Sequence, residues 1–261
     1  MDYELKGKVA LVTGAAQGIG KATAMVFAKN GVDLIACDIN YEQLAESCKE
    51  FEAQGVRALP VKMDVSNYEN VQNGVQQGID QFGRIDILLN CAGIVISKKL
   101  TEMEVTSWER VMDIDLKSVF MLSKVVAAHM IEKGIPGRII TISSQASKIG
   151  EYANSVYSCA KAAINTLTQV MAQEWGEYGI SATAICPGYV NTDMMKKVFN
   201  ERGPLEGMTP EEYKARLCSR IPLGRMAEPH EIGELMAFLA SPAGGYITGV
   251  AITIAGGSTL F

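Results

Sequence analysis

Short apolar runs of strand length alternate with longer stretches of helical periodicity along this 261-residue chain. The runs lie at Val9–Thr13, 34–37, 58–63, 85–89, Arg138–Ile142, 181–185 and Val250–Ile254. Several are continuously apolar, the pattern of a strand covered on both faces. Between them, apolar residues recur every three to four positions, as in Leu44, Cys48 and Phe51. Helices are predicted after Gly20, from Asn40 to Gly55, over Tyr68–Phe82, 106–112, 116–133, 155–178 and 229–239. Gly31, Gly55, Gly83 and Gly179 stand at helix ends, where a left-handed residue stops the helix. This alternation predicts a single α/β domain, a doubly wound parallel sheet with helices on both faces. Residues 189–227 lack the pattern and are predicted as irregular and polar, long for a loop in a compact domain.

A chain with 48% hydrophobic and 20% charged residues can bury a sizeable core. Its net charge of −5 and lack of a basic run argue against nucleic acid or an anionic membrane as partner. No stretch approaches the ~18 apolar residues of a spanning helix. Met1 to Lys8 is polar and charged, unlike a secretory leader. The six cysteines form no Cys-x-x-Cys pair and read as reduced core residues, so a cytoplasmic location is the default expectation. Only His129 and His230 are available as histidine ligands or bases. A zinc site or a Ser-His-Asp hydrolase is therefore not expected, and both histidines read as surface or satisfied helix residues.

Where the first strand hands over to the first helix, the chain reads Gly14-Ala-Ala-Gln-Gly18-Ile-Gly20. Glycine permits a sharp turn and close backbone approach to a pyrophosphate, and the helix N-terminus adds free N–H groups. A glycine cluster alone is often just a loop; its position between strand and helix favours the nucleotide reading. Asp38, at the end of strand two, can accept hydrogen bonds from both adenosine ribose hydroxyls and would repel a 2′-phosphate. Neither Gln17, Cys37 nor Ile39 supplies a cation for such a phosphate, which favours NAD over NADP. The other reading of Asp38 is a helix cap, and Asp64, a candidate for the adenine edge, has the same alternative.

Tyr157 and Lys161 are one helical turn apart on a common face. A free phenol has a pKa near ~10, and a fixed ammonium nearby lowers it towards the range of a useful acid/base. Ser144 follows the predicted strand at 139–142, and a strand end can face the following helix across a cleft, where its hydroxyl could hydrogen-bond a reacting oxygen. With 9 tyrosines, chance supplies roughly half such a Tyr-x-x-x-Lys pair, so it gains meaning only from its surroundings.

Taken together, Thr13-Gly14-x-x-x-Gly18-x-Gly20, Asp64, Asn90-Cys91-Ala92-Gly93, Ser144, Tyr157-x-x-x-Lys161, Pro187-Gly188 and Thr192 resemble the short-chain dehydrogenase/reductase family over nearly the whole chain. The resemblance implies a seven-stranded Rossmann fold and NAD(P)-dependent carbonyl/alcohol chemistry. Tyr157 would be the acid/base and Ser144 the group orienting the substrate oxygen. Lys161 would bind the nicotinamide ribose and tune Tyr157. The implied cofactor contacts are Gly14, Gln17, Gly18, Ile19 and Gly20; Asp38 and Ile39; Asp64 and Val65; Asn90, Ala92 and Gly93; Tyr157 and Lys161; and Pro187, Gly188, Val190 and Thr192. A homotetramer with the helices around 106–133 and 155–178 at an interface is also implied. Two positions depart from the family pattern: Cys91 replaces the second asparagine of Asn-Asn-Ala-Gly, read as a packing swap, and Asp115 stands where a relay asparagine is usual. By the resemblance, Asp115 keeps the main-chain carbonyl that would hold a relay water, while its side chain adds a negative charge that could bias Lys161 towards its protonated form.

A small-molecule substrate is expected. The segment 189–227 suggests a substrate lid, its Met194, Met195, Phe199 and Met208 closing an apolar cover or packing against the core. Gln145, Glu151, Asn154 and Tyr189 are the candidate substrate contacts, the first three as polyol ligands or as a solvated rim. The expected reaction interconverts a secondary alcohol and a ketone, first on a sugar, polyol or small hydroxy compound. A 3-oxoacyl carrier-protein reductase and a non-catalytic NAD-sensing protein are the alternatives.

Overall fold

The computed structural model describes residues 3–260. Seven strands, β1 (Val9–Thr13), β2 (Asp33–Asp38), β3 (Ala58–Lys62), β4 (Ile87–Asn90), β5 (Arg138–Ile142), β6 (Ser181–Pro187) and β7 (Val250–Ile254), form one parallel sheet in the order β3-β2-β1-β4-β5-β6-β7. The sheet carries α1 (Gly18–Lys29), α2 (Tyr41–Glu52), α3 (Tyr68–Phe82), α4 (Val105–Met112), α5 (Ser118–Lys133), α6 (Ser155–Trp175), α7 (Asp193–Leu205), α8 (Pro210–Ser219) and α9 (Pro229–Ala240). This is a Rossmann-type doubly wound domain, as the alternation predicts.

Period-two side-chain direction builds two cores from each strand. On β1, Ala10 and Val12 face a layer with Phe27 of α1, Leu44 and Phe51 of α2, and Met236 of α9. Val9 and Leu11 face the opposite layer with Val71 and Val75 of α3 and Leu122 and Val126 of α5. Continuous burial along β1 and β4 explains why these strands read as apolar runs, while β6 is as deeply buried although it carries Ser181 and Thr183. Pro60 lies in β3, an edge strand, where a missing N–H costs no ladder bond on the open side.

Residues 189–227 differ from the irregular segment expected. They hold α7 and α8, and α8 opens with Pro210 and a capping box between Thr209 and Glu212. Val198, Phe199, Tyr213 and Leu217 bury a small core of their own with Val95. Phe199 therefore packs inward, Met195 and Met208 flank that core, and Met194 stays exposed. Among the cysteines, Cys37, Cys48 and Cys186 are buried, whereas Cys159 is exposed. His129 on α5 is buried with Nε2 unpartnered, so it is neither a surface nor a satisfied residue. No helix among the described residues is long and apolar enough to cross a membrane, and no group of three or more His, Cys, Asp or Glu there could hold a metal ion.

Strand order reverses direction between β1 and β4, and a crevice opens at their C-terminal ends. Thr13 braces it: its hydroxyl oxygen accepts from the Cys91 and Ala92 N–H groups at 3.1 and 3.2 Å. Gly14 turns in the left-handed region, with φ of 67°. At Gly20, a Cβ atom would overlap the Gly14 carbonyl oxygen, backbone that cannot swing aside. Gly20→Ala is expected to cost about 1–3 kcal/mol in urea unfolding, the range for overpacking a rigid site; an unchanged midpoint would show that the turn tolerates a side chain.

Candidate active site

A cleft of about 390 Å³ runs along the C-terminal ends of the strands. Every residue predicted for catalysis, cofactor or substrate lines it, with one exception. Asn90 is buried away from the cleft wall, its amide donating to Ser123 Oγ at 3.3 Å and Thr141 Oγ1 at 3.1 Å. It ties β4 to β5 and α5.

At one end lies the glycine turn. The N-cap of α1, Gln17, makes no side-chain capping bond, and no acidic residue occupies the first turn. The first N–H groups of α1 are thus left for an anion. A Cβ on Gly18 would lie 3.8 Å from Thr192 Cγ2, so the start of α7 faces the glycine turn across the cleft. Thr192 caps α7 by accepting from the Met195 N–H. One oxygen of Asp38 accepts from the Ala16 N–H at 3.1 Å and the other from the Asn40 N–H at 2.9 Å. A carboxylate has about four acceptor sites, so these bonds position Asp38 without exhausting it. Asp64 makes a local turn, accepting from the Ser66 N–H and hydroxyl at 3.0 and 2.6 Å, while Asn67 caps α3. The cations of the cleft wall are Arg110, Lys161 and Arg202, and none belongs to the loops after β1 and β2 that surround Asp38.

The opposite end joins β5 to α6. Ser143 Oγ donates to the Lys161 carbonyl at 3.0 Å, and Lys161 Nζ donates to the Ile142 carbonyl at 3.0 Å. Asn165 Nδ2 donates to Ser147 Oγ at 2.8 Å. These bonds clamp the helix to the strand end. Ser144 and Tyr157 are thereby brought to one wall of the cleft, near enough for the serine hydroxyl to pull the phenol pKa down. Lys161 Nζ lies 5.4 Å from the Tyr157 ring centre.

Asp115 is the residue whose role the spacing left most open. Between α4 and α5 the helix widens into a π turn over Asp113–Lys117, which turns Asp115 inward to complete burial. Oδ1 accepts from the Ile94 N–H at 2.8 Å, and Oδ2 lies 3.1 Å from Lys161 Nζ. Oδ2 has no well-aligned hydrogen bond, so the contact is chiefly ionic. Gly93 leaves room for it: a Cβ there would sit 3.0 Å from Oδ2.

Burial by itself would lower the Lys161 pKa, but Asp115 and the Tyr157 phenol outweigh it and hold the ammonium above its ordinary value. Burial raises the Asp115 carboxyl against the opposing pull of Lys161 and the Ile94 N–H. For Tyr157 the direction differs from the simple Tyr–Lys expectation. Burial raises the phenol most; Lys161 and the Ser144 hydroxyl pull it down, Asp115 pushes it up, and the net direction is upward.

The sequence reading missed Ser97, Arg202 and Tyr213. Arg202 projects from α7 into the cleft wall, with Nη1 2.8 Å from Glu151 Oε2 and Nε 3.1 Å from Ser97 Oγ, and Tyr213 lies close enough to couple to it electrostatically. Glu151 further accepts from Gln145 at 3.2 Å and Asn154 at 3.0 Å, and Gln145 lies close enough to Tyr189 to lower its phenol pKa against the larger upward push of burial. Gln145, Glu151 and Asn154 are thus one network rather than a solvated rim.

Lys161→Met would leave Asp115 buried and unpaired, an expected loss of about 3–5 kcal/mol in unfolding free energy. Folding disfavours the Asp115 charge, so its cost is relieved as pH falls and the carboxyl takes a proton. The deficit should shrink on acidification, and most of it should vanish in D115N/K161M, where the carboxamide oxygen at that position still accepts from the Ile94 N–H. A deficit independent of pH and retained in the double variant would mean that packing, not charge, holds the pair.

Comparison with known proteins places this constellation. The short chain dehydrogenase profile matches residues 8–203. The chain is 39% identical over 258 residues to oxidoreductase UcpA of Salmonella typhimurium, covering 98% of this chain and 96% of that one. It is 36% identical to the 3-oxoacyl-[acyl-carrier-protein] reductase FabG of Thermotoga maritima, covering 97% and 98%. Identity to an NAD-dependent glycerol dehydrogenase of Listeria innocua is 35%, covering 99% and 96%. A crystal structure of a short-chain type dehydrogenase/reductase from Mycobacterium marinum superposes with a TM-score of 0.92 at 32% identity, covering 100% of this chain and 98% of that one. With its matching fold and motifs, the chain belongs to the short-chain dehydrogenase/reductase family of oxidoreductases, which bind a nicotinamide cofactor.

Proposed function

We propose that the protein is an NAD(H)-dependent oxidoreductase that interconverts a secondary alcohol and a ketone, acting on a sugar, polyol or small hydroxy compound. The observation that carries this reading is the meeting of Ser144, Tyr157 and Lys161 on one wall of a cleft whose far end presents Asp38. The residues fit a dinucleotide: the uncapped start of α1 and the crowded Gly20 suit a pyrophosphate, and Asp38 suits an unphosphorylated ribose. When bound, NAD⁺ supplies the hydride acceptor.

In the oxidising direction Tyr157 takes the proton from the substrate hydroxyl, and the Ser144 hydroxyl hydrogen-bonds the oxygen as it becomes a carbonyl. Lys161 keeps its charge through Asp115 and pulls the phenol down against the upward push of burial. Asp115 is a positioning residue, fixing where that charge sits. Helices α7 and α8 form the lid over the substrate end, with Met194 and Met195 in the cleft wall. Exposed Phe120 on α5 and Val170 on α6 favour assembly through these helices, as in a homotetramer. The similarity to a 3-oxoacyl reductase sustains a second reading, reduction of 3-oxoacyl thioesters. Asp38 weighs against the NADPH such chemistry usually uses.

The test is NADH formation with a panel of polyols, sugars and hydroxy acids, and the reverse assay with 3-oxoacyl thioesters plus NADH or NADPH. Oxidation of a neutral polyol with NAD⁺ supports the first reading; turnover confined to thioesters with NADPH overturns it. Tyr157→Phe should bind NADH normally and lose about 10²–10⁴-fold in turnover. Turnover within about tenfold of the parent would remove Tyr157 from the acid/base role.

Because the active form is the phenolate and its pKa is raised, kcat/KM for oxidation should climb towards alkaline pH. Asp115 raises that phenol, so Asp115→Asn should keep activity and move the climb to lower pH. A loss of about a hundredfold, the scale of a lost acid/base group, would give the carboxylate a direct part in proton transfer.

A further inference from the structure

The substrate end of the cleft carries two buried ion pairs. Lys161–Asp115 lies beneath the reacting groups, and Arg202–Glu151 forms the wall beyond Gln145. Arg202 is 5% exposed, and the Glu151 side chain is 16% exposed. Every bond of the second pair is internal to the wall. The guanidinium donates to Glu151 and Ser97; the carboxylate accepts from Arg202, Gln145 and Asn154.

The wall is also held from behind. The Lys98 N–H donates to the Ala153 carbonyl at 3.1 Å, and Ala153 is kept in the left-handed region, with φ of 54°. Non-glycine residues adopt that conformation only where their surroundings impose it. The remaining cleft cation, Arg110 on α4, is exposed and screened by solvent.

We infer that the Glu151–Arg202 pair is a specificity determinant, making the substrate chamber polar but charge-balanced, so that it admits uncharged hydroxylated substrates and rejects those with a carboxylate beside the reacting carbon. The inference deepens the alcohol/ketone reading above and rests on it for the direction in which substrate lies. A carboxylate entering the chamber loses its hydration and meets an arginine already neutralised, with Glu151 beside it. A hydroxyl meets no such penalty. Of about four acceptor sites on Glu151, three are taken, which leaves one for a substrate O–H.

The pair predicts its own reversal. Glu151→Gln keeps the side chain's shape and leaves the buried guanidinium uncompensated, turning the chamber into an anion site. E151Q/R202M removes both charges and restores balance.

The experiment is calorimetric titration of glycerate, the carboxylate counterpart of glycerol, into the NADH-saturated wild type and both variants. Wild type should bind glycerate at best weakly, E151Q roughly tenfold or more tightly than wild type, and the double variant as weakly as wild type. Equal binding by wild type and E151Q, or a gain retained in E151Q/R202M, overturns the inference. If E151Q does not fold, submillimolar glycerate binding by the wild type alone overturns it, and its absence supports it. Turnover is not read in this experiment, so a failure of the alcohol-oxidation assay and a failure of the charge rule are separately visible.

Discussion

A buried ammonium sets the terms for the active-site half of this molecule. Lys161 is 3% exposed, and an isolated charge at such a depth is costly unless it is paired and hydrogen-bonded. Three neighbours meet that demand from three different parts of the chain. The Ile142 carbonyl comes from the end of β5, Asp115 from the π turn between α4 and α5, and the Tyr157 ring from the preceding turn of α6. The same contacts that make the charge tolerable therefore fasten helix to strand end and hold the phenol beside Ser144. Stability and the geometry of the candidate site are two results of one electrostatic arrangement.

Much of this was legible in the sequence because it depends on local, periodic signals. The strands are short and apolar because most are covered on both faces, and α3 falls where its periodicity, the Asn67 cap and Gly83 place it. The glycine turn could be read because Gly14, Gly18 and Gly20 answer to backbone constraints that few other residues satisfy. Asp38 could be placed at the end of β2, though it also braces the glycine turn and Asn40, bonds that strand register alone does not announce.

What escaped the sequence depends on tertiary context. In α7, Val198, Phe199 and Arg202 share the buried face, but Gly203-Pro204 and the polar outer surface hid the helical period. Had that period been followed, Arg202 would have stood out as a charge on an apolar face. The Thr209-Pro210-x-Glu212 start of α8 was a readable signal left unused. The inward turn of Asp115 had no comparable signature, because one extra residue in a helical turn changes which side chain faces the core. The acidity of Tyr157 is not legible in the spacing for a related reason. The Tyr–Lys spacing supplies one favourable charge, whereas the folded site adds desolvation and an opposing carboxylate.

The Gln145 carboxamide also has a bearing on how the chain is handled. Its oxygen accepts from Ser258 Oγ at 2.9 Å and Thr259 Oγ1 at 3.1 Å, while its amide group donates to Glu151. Ser258 and Thr259, near the end of the described residues, are therefore tied by hydrogen bonds to the cleft wall. An affinity tag or fusion partner joined after them would pull on that linkage. Tyr3 instead bonds Glu234 on α9, outside the cleft wall, so the amino-terminal side is the gentler place for an attachment.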